Sequence, residues 1–447
     1  MSRLAGWALN CLYAALFLAA SPWIVWSAVR DGKYREGFAF KFLGLAPRRQ
    51  GDRPCVWLHA VSVGEVNLLA TTIGEFLKQR PDWEIVVSTT TKTGYDLACK
   101  KYAEYSVFYC PLDFTWATAA AMRRIRPTLL VLAELELWPN LISAAKRRGV
   151  RTAIINGRLG DKSFRRYRRV RSLIAPSLQR IDLIAAQNEE IAERFRQLGA
   201  RPESVHATGS LKFDGAQTNR RNPRTLALQQ LAGLDEQHVV FLTGSTQEPE
   251  EQYALNLLER LAPTHPELKL ILVPRHPQRF DEVAALLDAS GVSWLRRSQL
   301  ASNASDHGAH QPAAPCWQAL LVDTIGELGA WWGTASIGFV GGSFGSRGGQ
   351  NMLEPAAYGV ATCFGPNTWN FRDIVAQLLA ADGARVVRSQ DEFDAFVRKS
   401  LESPEFAKQL GEQAQQLVLS QQGATRHTVE LLCSLHATPS AKQRCAA

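Results

Sequence analysis

The chain has 447 residues, a length that suits two α/β domains better than a single core. With 46% hydrophobic and 21% charged residues it is not a disordered chain, and its net charge of +9 favours anionic partners: nucleic acid, an acidic membrane surface or a phosphorylated substrate. The eight cysteines form no CxxC pair and no Cys/His ligand spacing, which excludes a disulfide framework and a structural zinc site and fits reduced thiols.

From Leu4 to Val29 there is no charged residue, and Arg30, Lys33 and Arg35 follow. As a helix this run would extend about 39 Å, enough for a bilayer of about 30 Å. Trp23 and Trp26 stand where indoles favour the interface, and the excess of positive charge after the run puts the rest of the chain on the cytoplasmic side. A cleaved signal peptide is the alternative, given Ala19-Ala20-Ser21, but the basic n-region is thin and the apolar run continues past that point. Residues 1–30 are therefore expected to be a membrane anchor, with Pro22 leaving open whether it spans or lies in the membrane.

Beyond a basic juxtamembrane stretch, strand and helix patterns alternate. Strands are expected at 56–59, 84–90, 128–133, 152–155, 181–186 and 205–208, with a helix reaching to about Gln79. Asp214–Arg224 is polar and patternless, so 214–237 is read as a linker between a domain at 31–213 and another at 238–447. The second series has strands at 238–242, 268–273, 320–323, 337–340 and 361–364. Its helices fall at Pro249–Leu261, Arg279–Ala289, Asn351–Tyr358 and Phe371–Ala380, and Ser298–Pro315 reads as an exposed loop. Such alternation predicts two parallel sheets wrapped by helices, with ligand loops at the carboxyl ends of the strands.

Those loops carry the chemistry. Ser62-Val63-Gly64-Glu65 puts Glu65 in the first turn of a helix, either as a general base or as a carboxylate complementing the helix dipole, which would also lower its pKa. Glu134 and Glu136 would share one face if extended, as a metal-binding pair or as acceptors for backbone N–H groups. Lys212, before the linker, would stabilise a departing phosphate or lie free on the surface. In the second half, Gly244-Ser245-Thr246, Pro274-Arg275, Asp323–Glu327 and the glycine-rich run from Gly341 to Asn351 each follow a strand, a pattern that suits a nucleotide. Gly341-Gly342-Ser343-Phe344-Gly345 also matches a hydrolase nucleophile elbow, with Asp373 and His427 in order, but the glycines make a poor helix start. The basic segment Lys162–Arg171 is a solvated helix face or a surface for acidic lipid; no nucleic-acid module accompanies it.

Taken in order, HAVSVGE at 59–65, ELELWPN at 134–140, GSLKFD at 209–214 and VPRHPQRF at 273–280 resemble the bacterial 3-deoxy-D-manno-octulosonic acid (Kdo) transferase family. DTIGEL at 323–328, FVGGSF at 339–344, GGQNMLEP at 348–355 and GPNTWNF at 365–371 continue the resemblance over most of the chain. It implies a glycosyltransferase of the two-Rossmann (GT-B) type, its two sheets facing a central cleft, behind an N-terminal membrane-anchor helix. It further implies transfer of Kdo from CMP-Kdo to a glucosamine hydroxyl of a lipid A precursor, in lipopolysaccharide biosynthesis at the cytoplasmic face of the inner membrane. By the same resemblance Glu65 is the proton acceptor, and Glu134 and Lys212 stabilise the transition state. Pro274, Arg275, Ile325, Gly326, Glu327, Asn351, Met352, Leu353 and Glu354 bind CMP. No metal or other cofactor is expected, since CMP leaves with less charge than a nucleoside diphosphate. Gln247 and Asn367 stand where the family usually has His, and Met352 where Pro is frequent, which puts sugar or phosphate contacts at those loops in question.

Overall fold

The computed structural model describes residues 3–31, 36–303 and 316–436. Two compact units emerge: the chain to Gly215 joined by the residues from Gln422 onward, and Ala216–Gln421.

The first unit holds seven strands: β1 (Cys55–His59), β2 (Glu84–Thr89), β3 (Ser106–Tyr109), β4 (Leu129–Ala133), β5 (Arg151–Gly157), β6 (Leu183–Ala186) and β7 (Val205–Ala207). They pair in the order β3-β2-β1-β4-β5-β6-β7, all parallel. Every residue of β4 is buried. Leu130 and Leu132 feed one apolar core, whereas Leu129, Val131 and Ala133 feed another, as expected of a strand covered on both faces. Strand order reverses between β1 and β4, and such a switch point opens a crevice at the carboxyl ends of the strands.

The second unit repeats the plan with β8 (Val239–Thr246), β9 (Leu268–Pro274), β10 (Trp294–Arg296), β11 (Ala319–Leu321), β12 (Ile337–Val340), β13 (Ala361–Phe364) and β14 (Ala384–Val386). Their order is β10-β11-β9-β8-β12-β13-β14, again all parallel, with the switch between β8 and β12.

Several sequence expectations change. β3, β10 and β14 were not foreseen; each is an edge strand of three or four residues, too short for a period to show. The expected linker 214–237 contains the helix Pro223–Ala232, started by Asn222, whose side chain accepts from Thr225 N–H. The C-terminal helix Ala424–Ser434 belongs to the first unit, because Val429 and Leu432 are buried in its core. Of the loop expected at Ser298–Pro315, the start lies in the helix Arg297–Asn303 and residues 304–315 fall outside the described ones. The basic segment does form a helix, Asp161–Arg169, with no buried residue.

The N-terminal run is a helix, Arg3–Asp31, with Pro22 inside it and Trp7, Leu12, Leu16, Leu18 and Trp26 exposed. Among the described residues no helix is long and apolar enough to cross a membrane.

Candidate functional site

In the first unit β1 ends at His59, a buried imidazole whose Nδ1 lies 2.9 Å from Ser88 Oγ and whose pKa burial lowers to about 4. A neutral, enclosed ring at pH 7 supports the backbone and takes no part in charge balance. Three residues on, Ser62 caps the helix Val63–Gln79 and Glu65 closes a reciprocal capping box. The Glu65 Oε1 accepts from Ser62 Oγ at 2.9 Å, and its Oε2 accepts from Val61 N–H at 2.8 Å. The expected lowering of its pKa does not win. Burial raises it, against the hydrogen bonds from Val61 and Ser62, and the charge of Glu134 raises it further.

Glu134 follows the end of β4 in a left-handed backbone conformation, φ 55°, uncommon outside glycine. Its Oε1 lies 3.8 Å from Lys212 Nζ. Glu134 and Glu136 are past the strand, so the alternation that would align them on one face does not apply. Glu136 Oε2 instead accepts from Trp138 Nε1 at 2.8 Å, and burial, with the charges of Glu65 and Glu134, pushes its carboxyl up to about 7. Among the described residues no group of three or more His, Cys, Asp or Glu side chains is placed to hold a metal ion. Lys212 sits in the turn after β7. That turn is held by Asn156 at the end of β5, also left-handed at φ 53°, whose Oδ1 accepts from Leu211 N–H at 3.1 Å. Asp214, the last residue of the GSLKFD segment, accepts from Gly423 N–H and Thr425 N–H and so caps the C-terminal helix.

In the second unit Gly244-Ser245-Thr246 ends β8 itself, where the pairing with β9 shifts register and Ser245 takes φ 58°. The glycine-rich loop after β12 is already occupied from within. Glu250, 1% exposed, accepts from Gly342 N–H (2.8 Å), Ser343 N–H (2.9 Å) and Phe344 N–H (3.1 Å). Those groups are thus committed to a carboxylate of the protein and are not the anion cradle their glycines suggested. Ser343 is fully buried, donating from Oγ to Val340 O and accepting from Gly365 N–H, which removes the nucleophile-elbow reading. Asn367 donates to the carbonyls of Phe344 and Gly345, both at 3.0 Å, so this amide pins the same loop.

The groups left facing solvent come from β9, β11 and the loop after β12. Pro274 closes β9 and is buried; Arg275 beyond it is exposed. Glu354 is half-buried and accepts from Asn351 Nδ2 at 3.0 Å; burial raises its pKa against the pull of Asn351 and Arg275. Met352 and Leu353 are buried, so neither presents its side chain to solvent. Glu327 is gripped by the Arg297 fork at 2.8 and 2.9 Å and by Thr324 Oγ1 at 2.7 Å. The turn therefore presents Ile325, 80% exposed, and Gly326, whose φ of 89° suits only glycine well. His276 has its pKa lowered by burial and by the charges of Arg347, Arg275 and Arg279, which marks a local concentration of cations.

Carboxylates and a lysine thus gather at strand ends of one sheet, and cations with a half-buried Glu at those of the other. The family model for 3-deoxy-D-manno-octulosonic-acid transferase (kdotransferase) matches residues 35–215. A 3-deoxy-D-manno-octulosonic acid transferase of Haemophilus influenzae is 31% identical over 432 residues, covering 94% of this chain and 97% of the relative. The chain belongs to the Kdo transferase family. A second Kdo transferase, from Bordetella pertussis, is 32% identical and covers 92% of this chain and 94% of its own. Among solved structures, UDP-GlcNAc 2-epimerase from Neisseria meningitidis bound to UDP-GlcNAc superposes with a TM-score of 0.55 at 13% identity, covering 85% of this chain and 100% of that one. That likeness speaks for the fold alone.

In this Kdo transferase family member Glu65, Glu134 and Lys212 come from three separate loops to one end of one sheet. Arg275, Asn351 and Glu354 do the same in the second unit, as do Ile325 and Gly326. Sequence reasoning missed Asn156, Glu250, Arg297 and Arg347. The left-handed Asn156 and the buried Glu250 carry no local pattern; Arg347 stands beside Gly348-Gly349, and that adjacency is the one signal for it.

Proposed function

We propose that the chain transfers Kdo from CMP-Kdo to a glucosamine hydroxyl of a lipid A precursor by a single inverting displacement. The observation that carries this reading is the half-buried Glu65, raised in pKa beside Glu134, with the Glu134–Lys212 pair 3.8 Å apart at the same strand ends. A base needs a pKa drawn towards the working pH and a free lone pair; Glu65 has the first from burial. Glu65 takes the proton of the acceptor hydroxyl as that oxygen bonds to the anomeric carbon. The bond from that carbon to the phosphate oxygen breaks, and its electron pair leaves with CMP. Lys212, held by Glu134, supports negative charge as it develops.

The donor is bound by the second unit, through the exposed Arg275, the backbone of Ile325-Gly326 and the Asn351–Glu354 pair, with the buried Met352 and Leu353 packing beneath that pair. Glu327 contributes by holding its turn rather than by touching the nucleotide. The two parallel-sheet units, each with ligand loops at its strand ends, follow the plan of a GT-B enzyme. The helix Arg3–Asp31 anchors the chain at the cytoplasmic face of the inner membrane, supported by its exposed apolar side chains. The basic helix Asp161–Arg169 rests on acidic headgroups, at about 1 kcal/mol for each charge near the surface. Turnover of Glu65→Gln on CMP-Kdo and the precursor tests the reading: loss with CMP binding retained supports it, and near-normal turnover overturns it. In a thermal melt CMP raises Tm where UDP does not.

A further inference from the structure

We propose that Asn10 and Tyr13 are positioning residues for the transfer reaction, fixing through Asp113 and Asn140 the loop that carries Glu134 and Glu136. The proposal rests on the reading of that loop as part of the active site.

An anchor needs only apolar surface, yet Asn10 sits within the uncharged run 4–29 of the helix. Its neighbours Trp7 and Leu12 are 62% and 54% exposed; Asn10 is 3% exposed. A buried amide is tolerated only when bonded, and this one is. Its Nδ2 donates to Thr115 Oγ1 at 2.7 Å, and its Oδ1 accepts from Thr115 N–H at 3.1 Å and from Asn140 Nδ2 at 3.4 Å. One turn further, the Tyr13 hydroxyl donates to Asp113 Oδ2 at 3.2 Å.

Asp113 faces the helix Pro139–Lys146, to which Asn140 belongs and whose first turn has no cap of its own: Trp138 makes no capping side-chain bond. The cap comes from afar. Asp113 accepts from Asn140 N–H at 3.0 Å and from Leu141 N–H at 2.8 Å, and Asn140 Nδ2 donates to the Asp113 carbonyl. Asp113 and Asn140 are 3% and 1% exposed, so no water substitutes for a missing partner. The residue just before this helix, Trp138, donates to Glu136. Hydrogen bonds thus tie the N-terminal helix to Asn140, two residues along the backbone from Trp138, whose indole holds Glu136 in the carboxylate loop.

The test uses the full chain in detergent micelles, where tethering to a membrane no longer affects encounter. Asn10→Leu makes the helix more apolar and so improves a mere tether, while Tyr13→Phe deletes one hydroxyl. For the double variant the expected result is a kcat lower by about 10- to 100-fold, the cost of a misplaced reacting group. KM for CMP-Kdo stays unchanged, and the amides of residues 140–142 exchange hydrogen faster. A wild-type kcat, a kcat loss without faster exchange at those amides, or a change confined to KM overturns the proposal. Should the double variant not fold, Tyr13→Phe alone is judged by the same readouts. A fully active Glu65→Gln would instead sink the functional reading and leave the exchange result untouched.

Discussion

Ser62 and Glu65 close a capping box, so the carboxylate proposed as base also holds the turn on which it sits. Glutamine satisfies the same box, and Glu65→Gln should therefore keep its melting temperature while turnover falls by about 10²- to 10⁴-fold. The pH profile gives a second check. A base acts only when ionised, and a raised pKa places the acid limb of kcat/KM above the ordinary carboxylate range. Glu134→Gln removes a negative charge that raises Glu65, so that limb should move to lower pH even as the maximum falls; an unmoved limb means Glu65 does not set it. Asn156→Ala strains a left-handed backbone and leaves Leu211 N–H buried without an acceptor, at a cost of about 1–3 kcal/mol in chemical denaturation. The S-x-x-E spacing of the box was legible in the sequence. The sign of the Glu65 shift was not, because burial is set by what packs over the carboxyl and no local pattern encodes it.

At the level of elements, the groups proposed to act sit at the carboxyl ends of strands, Glu65 and Glu134 where the order of strands reverses. Alternating apolar runs gave away β1, β2 and β4 and hence the placement of Glu65 and Glu134; the edge strands β3, β10 and β14 were too short to read. The glycine-rich loop after β12 misled for a different reason. Its N–H groups look free until Glu250 is seen to fill them from a helix ninety residues earlier. Glu250→Ala should lower Tm and weaken CMP binding together, since several buried N–H groups lose their acceptor. Arg297→Ala releases the Glu327 carboxylate and loosens the turn that presents Ile325 and Gly326. Its expected signature is a raised KM for CMP-Kdo with kcat little changed, read from initial rates; an unchanged KM would show that this turn does not touch the donor.

For the whole molecule, two parallel-sheet units were legible from the repeated alternation of strand and helix, and the family from motifs spread along both. The return of Ala424–Ser434 to the first unit was not, because an amphipathic helix does not say which apolar surface it covers. The dual character of the N-terminal helix was equally hidden: its composition announces an apolar run, while Asn10 and Tyr13 matter only through partners a hundred residues away. If this chain joins Kdo to a lipid A precursor with Glu65 as the base, the lipid itself gains mass. Mass spectrometry of the lipid after incubation with CMP-Kdo tests it most directly. A lipid heavier by one or more Kdo residues is expected with the wild-type chain and almost none with Glu65→Gln; an unmodified lipid with the wild type, or equal product from both, rules that chemistry out.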